Sequence, residues 1–167
     1  MTEIVGAKGN IQDIDSFLKK INSISHEYNL VIQVFNADMI YDKIHLISAV
    51  EHANRAIDQK TNTTNSLEME ILLYASGERQ LKLAIPKMGV KKGSGSIAMV
   101  FTSGKISDII IEQILNKLDL DRDDKILEGD INTLKKFGLN NKEIETVNPK
   151  KQGHLILEKI AMVDIIK

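Results

Sequence analysis

The residues best suited to chemistry in this chain are those of the run Ser76-Gly77-Glu78-Arg79-Gln80, which presents a hydroxyl, a guanidinium and a carboxamide beside a tight turn between two apolar segments. Groups of this kind suit a phosphate, a nucleobase edge or the backbone of a partner, and the same run also fits an ordinary corner between two helices. A DNA-reading helix-turn-helix is a further reading. Against it, the segment Arg79 to Ile85 carries only Arg79 and Lys82 as cations before Pro86 disrupts it. A second cluster, Lys91-Lys92-Gly93-Ser94-Gly95-Ser96, has the glycines and lysines that cradle phosphates. It leads into a strand-like run, whereas phosphate loops of the P-loop and dinucleotide-binding kinds lead into a helix N-terminus that shares the work. The segment therefore reads as a mobile connection or as a hold on an RNA backbone.

The remaining candidates for catalysis or metal binding fail on spacing. His45 and His52 are seven residues apart, which puts them on one helix face but about 10.5 Å apart along the axis, too far for one metal ion. They read as structural residues flanking an apolar stripe. His26 and His154 lie in unrelated segments, with no local carboxylate or nucleophile pattern to enlist them. Asp119, Asp121 and Asp123 occupy the first, third and fifth places of a calcium loop. Asp124, however, stands where the sharp turn needs glycine, and Asp130 stands where the bidentate glutamate belongs. A solvated acidic connector is the better account. Kinase signatures and a nucleophile elbow are lacking, so the sequence predicts no catalytic residues, no metal site and no cofactor.

The elements that would position the Ser76–Gln80 run follow from hydrophobic periodicity. Ile4 to Ala7 predicts a strand, followed after Gly9 by a helix that Asn10 can cap, in which Ile11, Ile14, Phe17, Leu18, Ile21 and Ile24 keep helical spacing. Leu30 to Phe35 predicts a second strand. The helix after Asp42 would turn Leu46, Ala49, Val50, Ala53, Ala56 and Ile57 inward. Asn65, with Glu68 three residues on, predicts the start of another helix, and Leu67 to Ala75 is apolar almost all round, which implies burial on more than one side. Gly77 is placed to end that helix in a left-handed conformation, with a short helix following from Glu78 or Arg79.

Ile97 to Phe101 predicts a buried strand, and Ile106, Ile109, Ile110, Ile114, Leu115 and Leu118 an amphipathic helix. Asp119 to Val147 is polar, acidic and broken into short pieces, among them Asp130 to Phe137 ended by Gly138. Leu155 to Ile166 predicts one long strand closing the sheet. About four strands among several helices, not in strict alternation, predict an α+β domain with helices packed on an antiparallel or mixed sheet.

Composition bounds these readings. The 167 residues are 43% apolar and suit one domain spanning 1–167, with enough apolar content for a sizeable core. The formal net charge of −1 requires any nucleic-acid contact to come from a local patch. The chain has no cysteine, which removes disulfides and thiolate chemistry. No apolar run reaches the roughly 18 to 20 residues of a membrane span, and the first residues lack the pattern of a signal peptide. A soluble, cytoplasmic protein is expected.

The runs HLISAVEHANRAI, NSLEMEILLYASGERQLKLAIPKMGV and HLILEKIAMVD, taken together, resemble the small kinase-binding accessory subunit of the KEOPS complex in its archaeal form, the PRPK-binding protein family. The resemblance covers essentially the whole chain. Its most specific parts are EILLYASGERQ with the following A-I-x-K-M-G, and the ending L-E-K-I-A. It implies a non-catalytic subunit that binds the small lobe of an atypical kinase or ATPase. That kinase in turn carries the enzyme that makes threonylcarbamoyladenosine in tRNAs decoding ANN codons. It also implies help in recruiting tRNA through the unpaired 3′ CCA end, which stacking and a few phosphate contacts can hold without a strongly basic protein.

Carried onto this sequence, the resemblance implies tRNA contacts around Ser76, Gly77, Arg79 and Gln80, with Lys82, Lys87, Lys91 and Lys92 as phosphate contacts and Tyr74 as a candidate stacker or core residue. Neither DNA nor a membrane is expected as a partner. The kinase contact would be an exposed apolar patch, sought first among Leu67, Ile71, Tyr74, Leu81 and Leu83. The chain departs from the family pattern at Pro86, where a helix-compatible residue is expected. A small-molecule-binding or regulatory domain with no RNA role is the alternative from a different functional class.

Overall fold

A computed structural model describes residues 1–166. The chain runs β1 (Thr2–Ile11), α1 (Ile14–Tyr28), β2 (Val31–Asn36), α2 (Lys43–Asp58), α3 (Leu67–Ser76), α4 (Leu81–Met88), β3 (Gly93–Thr102), α5 (Asp108–Lys117), β4 (Asp121–Arg122), α6 (Ile131–Phe137), α7 (Asn141–Glu145) and α8 (Gly153–Ile166). The four strands form one antiparallel sheet in the order β2-β3-β1-β4. The α+β class with an antiparallel sheet is as the sequence predicts.

Strand alternation explains how the sheet holds two cores. Ile4, Phe35, Ala98 and Val100 point to one face, which α2, α3, α6 and α8 cover. Val5, Ala7, Ile32, Val34, Met99 and Phe101 point to the other, which α1 and α5 cover. Helix α3 sits deepest, with every residue from Glu70 to Ser76 buried, in keeping with its lack of a polar face. The carboxylate of Glu70 is fully buried and holds the preceding loop by accepting the Thr63 and Thr64 amides at 3.1 and 2.9 Å and the Thr64 hydroxyl at 2.6 Å. A buried acid is tolerable when donors surround it in this way.

The largest correction concerns Leu155 to Ile166, which is helix α8 and not a strand closing the sheet. Its Ile and Val content suits a strand, but Ile156, Ile160 and Val163 are buried at helical spacing while Glu158, Lys159 and Met162 face outward, so the helical period decides. The fourth strand is instead β4, two residues long, within the acidic segment. The Gly/Ser run expected as a loop belongs to β3, where Gly95 lies opposite Gly9.

Several caps shift by a residue or more. Asp13, not Asn10, caps α1, because β1 continues to Ile11, and Ser66, not Asn65, caps α3 by accepting the Met69 amide. Helix α4 starts at Leu81 rather than at Glu78 or Arg79, and it contains Pro86 instead of breaking there. Pro86 removes only the amide that would reach Lys82, and the helix ends two residues later at Met88.

Candidate interaction surfaces

The corner after α3 is held by groups that sequence reading could not place. Gly77 takes the left-handed conformation, φ 71°, that ends α3, as expected. A side chain at that position would also come within 3.4 Å of the Phe137 ring. The Ser76 hydroxyl donates to the Leu73 carbonyl at 2.6 Å and accepts the Glu78 amide at 3.0 Å, so this buried group serves the turn itself. The Lys87 ammonium reaches back from α4 to donate to the Ser76 carbonyl at 2.8 Å and to Glu78 Oε1 at 3.4 Å, and it lies 3.9 Å over the Phe137 ring. Burial lowers the Lys87 pKa, an effect that Glu78 partly offsets.

His45 completes the corner. Its Nδ1 accepts the Tyr41 amide at 3.1 Å, which leaves Nε2–H to donate to the Ala75 carbonyl at 2.9 Å, and its ring meets Phe137 edge-on at 5.5 Å. These bonds fix one neutral tautomer, and burial lowers the pKa to about 4. Two carbonyls at the C-terminus of α3, which no helix amide can reach, are thus satisfied by His45 and Lys87.

The predicted tRNA contacts therefore divide into two groups. Ser76 and Lys87 are turned inward, and Gly77 shapes the turn. Arg79, Gln80 and Lys82 are exposed at the start of α4, with Lys91 and Lys92 exposed just beyond its end. The Lys91 ammonium sits 3.1 Å from the Pro86 carbonyl. The exposed cations bracket α4 and face solvent, an arrangement that can meet an anionic strand.

The predicted apolar contacts divide as well. Ile71 and Tyr74 have no exposed surface, Leu67 and Leu81 are half-buried, and Leu83 projects into solvent. The Tyr74 ring stacks on His52 at 5.4 Å, and its hydroxyl donates to Asp164 of α8, whose other carboxylate oxygen lies 2.8 Å from His52 Nδ1. Burial, with Asp164 adding to it, holds the phenol protonated. His52 and Tyr74 thus anchor α8 on α2 and α3, and Tyr74 offers no face for stacking a base.

Two further pairs of exposed apolar residues were not foreseen from the sequence. Ile44 and Ile47 lie on the outer side of α2, and Met162 and Ile165 on the outer side of α8. Ile165 is 74% exposed and Ile44 58%. The two helices run parallel, since Gly153 abuts Tyr41 and Asp42 at one end and Asp164 meets His52 at the other. The signal was present as paired i, i+3 spacings, but reading α8 as a strand hid it.

Exposed cations thus flank one helix of this α+β fold, and pairs of exposed aliphatic side chains stand on two others, an arrangement suited to binding. The chain belongs to the family described as kinase binding protein CGI-121, whose model matches residues 9–164, from β1 to the Asp164 anchor in α8. It is similar to the regulatory protein Cgi121 of Methanocaldococcus jannaschii, with 30% identity over 153 residues, covering 89% of this chain and 93% of that protein.

Proposed function

We propose that the chain is a non-catalytic subunit of the KEOPS complex that binds its atypical kinase or ATPase subunit and helps recruit tRNA by the 3′ CCA end for threonylcarbamoyladenosine modification of tRNAs decoding ANN codons. Membership of a kinase-binding family, on a chain that leaves large aliphatic side chains in solvent, is the observation that carries this reading. The outer faces of α2 and α8 are the kinase-docking surface, with Ile44, Ile47, Met162 and Ile165 as its anchors, because isolated apolar residues are ordinary on a surface but a set on adjoining helices suits a partner. Leu83 and the half-buried Leu67 and Leu81 lie elsewhere, on α3 and α4.

The tRNA end is met by Arg79, Gln80, Lys82, Lys91 and Lys92, with Lys87 and Ser76 holding the corner that presents them. Contacts of this kind release counterions, so about four phosphate contacts give a log-log salt slope near −3, whereas apolar docking responds little. Gel shifts with one tRNA, with and without its CCA end and at two salt concentrations, test this. R79E/K82E is expected to abolish the CCA-dependent shift while kinase binding persists. Equal binding of the two tRNAs, or loss of kinase binding in the same variant, would overturn the placement.

A further inference from the structure

Strand β2 is the terminal strand of the sheet, and its free edge forms the floor of a groove of about 470 Å³ that shares only Lys91 with the surfaces above. Helix α1 forms one wall through Ile14 and Leu18, and α3 and α4 form the other through Met69, Leu72 and Ile85. The Val34 amide points away from β3, because it donates to the carboxamide oxygen of its own neighbour Gln33 at 2.8 Å. Ladder groups alternate along a strand, so the amide and carbonyl of Ile32 face the same way, into the groove. Gln33 also donates to the Glu68 carbonyl at 2.8 Å, which ties its side chain across the edge. Ile32 and Val34 are only 4% and 3% exposed, whereas Leu18 and Ile85 on the lips are open to solvent.

We propose that this groove accepts an extended apolar peptide segment of a partner, which adds as a fifth strand beside β2 and takes the place of the Gln33 carboxamide on the Val34 amide. An extended chain alone offers donors and acceptors at ladder spacing, and its alternating side chains would meet an apolar wall on each side, as in a strand buried on both faces. Sheet edges are ordinarily blocked by charge, proline or covering elements. Here a neutral, displaceable side chain does the blocking. The volume lies within the range of about 300–1,000 Å³ usual for ligand sites, enough for a short segment. The proposal is independent of the kinase and tRNA readings, since none of their anchors except Lys91 lines the groove.

Amide-resolved NMR titration of the full chain with a blocked Lys-Val-Ile-Val-Ile-Lys peptide tests it, with the same peptide N-methylated at alternate residues as control. Expected are shifts at Ile32 and Val34, at least tenfold weaker binding of the methylated control, loss of binding in L18E/I85E, and several-fold tighter binding in Gln33→Ala. Equal binding of the methylated peptide would leave only apolar adhesion and overturn strand addition, as would an unchanged affinity in L18E/I85E. Displacement of the peptide by decanoate, or a doubled mass by light scattering without peptide, would assign the groove to a small amphiphile or a second copy and sink the proposal. No shift at β2 would do the same.

Discussion

At the scale of single residues, the corner after α3 shows why side chains that look functional in sequence can be structural. Ser76 and Lys87 carry groups suited to phosphate, yet both are spent on the last turn of α3 and on Glu78. Nothing in the order of residues reveals that Lys87 points back toward Phe137, because that contact joins α4 to α6. Gly77, by contrast, was legible, since a glycine after an apolar helical run has one common use.

His45 gives the clearest pH prediction. Its folded pKa, about 4, lies below the ordinary 6.5, so above pH 6.5 both states carry a neutral ring and nothing is lost. Below 6.5 the unfolded chain takes up a proton that the folded chain refuses, so stability falls as the pH drops toward 4, by up to about 1.4 kcal/mol per unit and about 3 kcal/mol in all. Denaturant midpoints between pH 7.5 and 4.5 should show this fall, and His45→Gln should be less stable at pH 7 and flatter with pH. An equal slope in the variant would place the proton uptake elsewhere.

At the scale of elements, periodicity found most helices and the first three strands, and it failed where β-branched content and helical spacing disagree. Leu155 to Ile166 is the main case. Burial of Ile156, Ile160 and Val163 against α2 and α3 outweighs the strand preference of the residue types. Strand β4 was illegible because two residues, Asp121 and Arg122, carry no pattern. What holds them is pairing with Ala7 and Lys8, together with the bond from the neighbouring Asp123 amide to the Gly6 carbonyl. The caps went astray by one to three residues because Asn, Asp and Ser compete for the same role, and only backbone direction chooses between them. The helical assignment of α8 is testable at Glu158, an exposed interior position. Glu158→Pro should cost about 3 kcal/mol or more by thermal or denaturant unfolding, while Glu158→Ala should be nearly neutral. A negligible cost for proline would contradict the helix.

At the scale of the whole molecule, the sheet separates two helix layers, and the exposed features fall on different parts of them. Arg79, Lys82, Lys91 and Lys92 bracket α4, the outward Ile44, Ile47, Met162 and Ile165 lie on α2 and α8, and the β2 edge lies between α1 and the α3–α4 pair. A net charge of −1 gives no general attraction for nucleic acid, so any tRNA contact depends on that local grouping of cations. Among the described residues no helix is long and apolar enough to cross a membrane. On the proposed function, separate surfaces would let a kinase and a tRNA end be held at once.

The most direct test of this account is calorimetric titration of the chain and its M162E/I165E variant into the purified kinase subunit at two salt concentrations. Both substitutions lie at exposed sites of α8, so folding should be retained, and circular dichroism would verify it. The account predicts salt-insensitive binding by the original chain and a loss of at least 100-fold, about 2.7 kcal/mol, in the variant. Undiminished binding by a folded variant would contradict the α2–α8 docking surface, and absence of kinase binding by the original chain would contradict the proposed function itself.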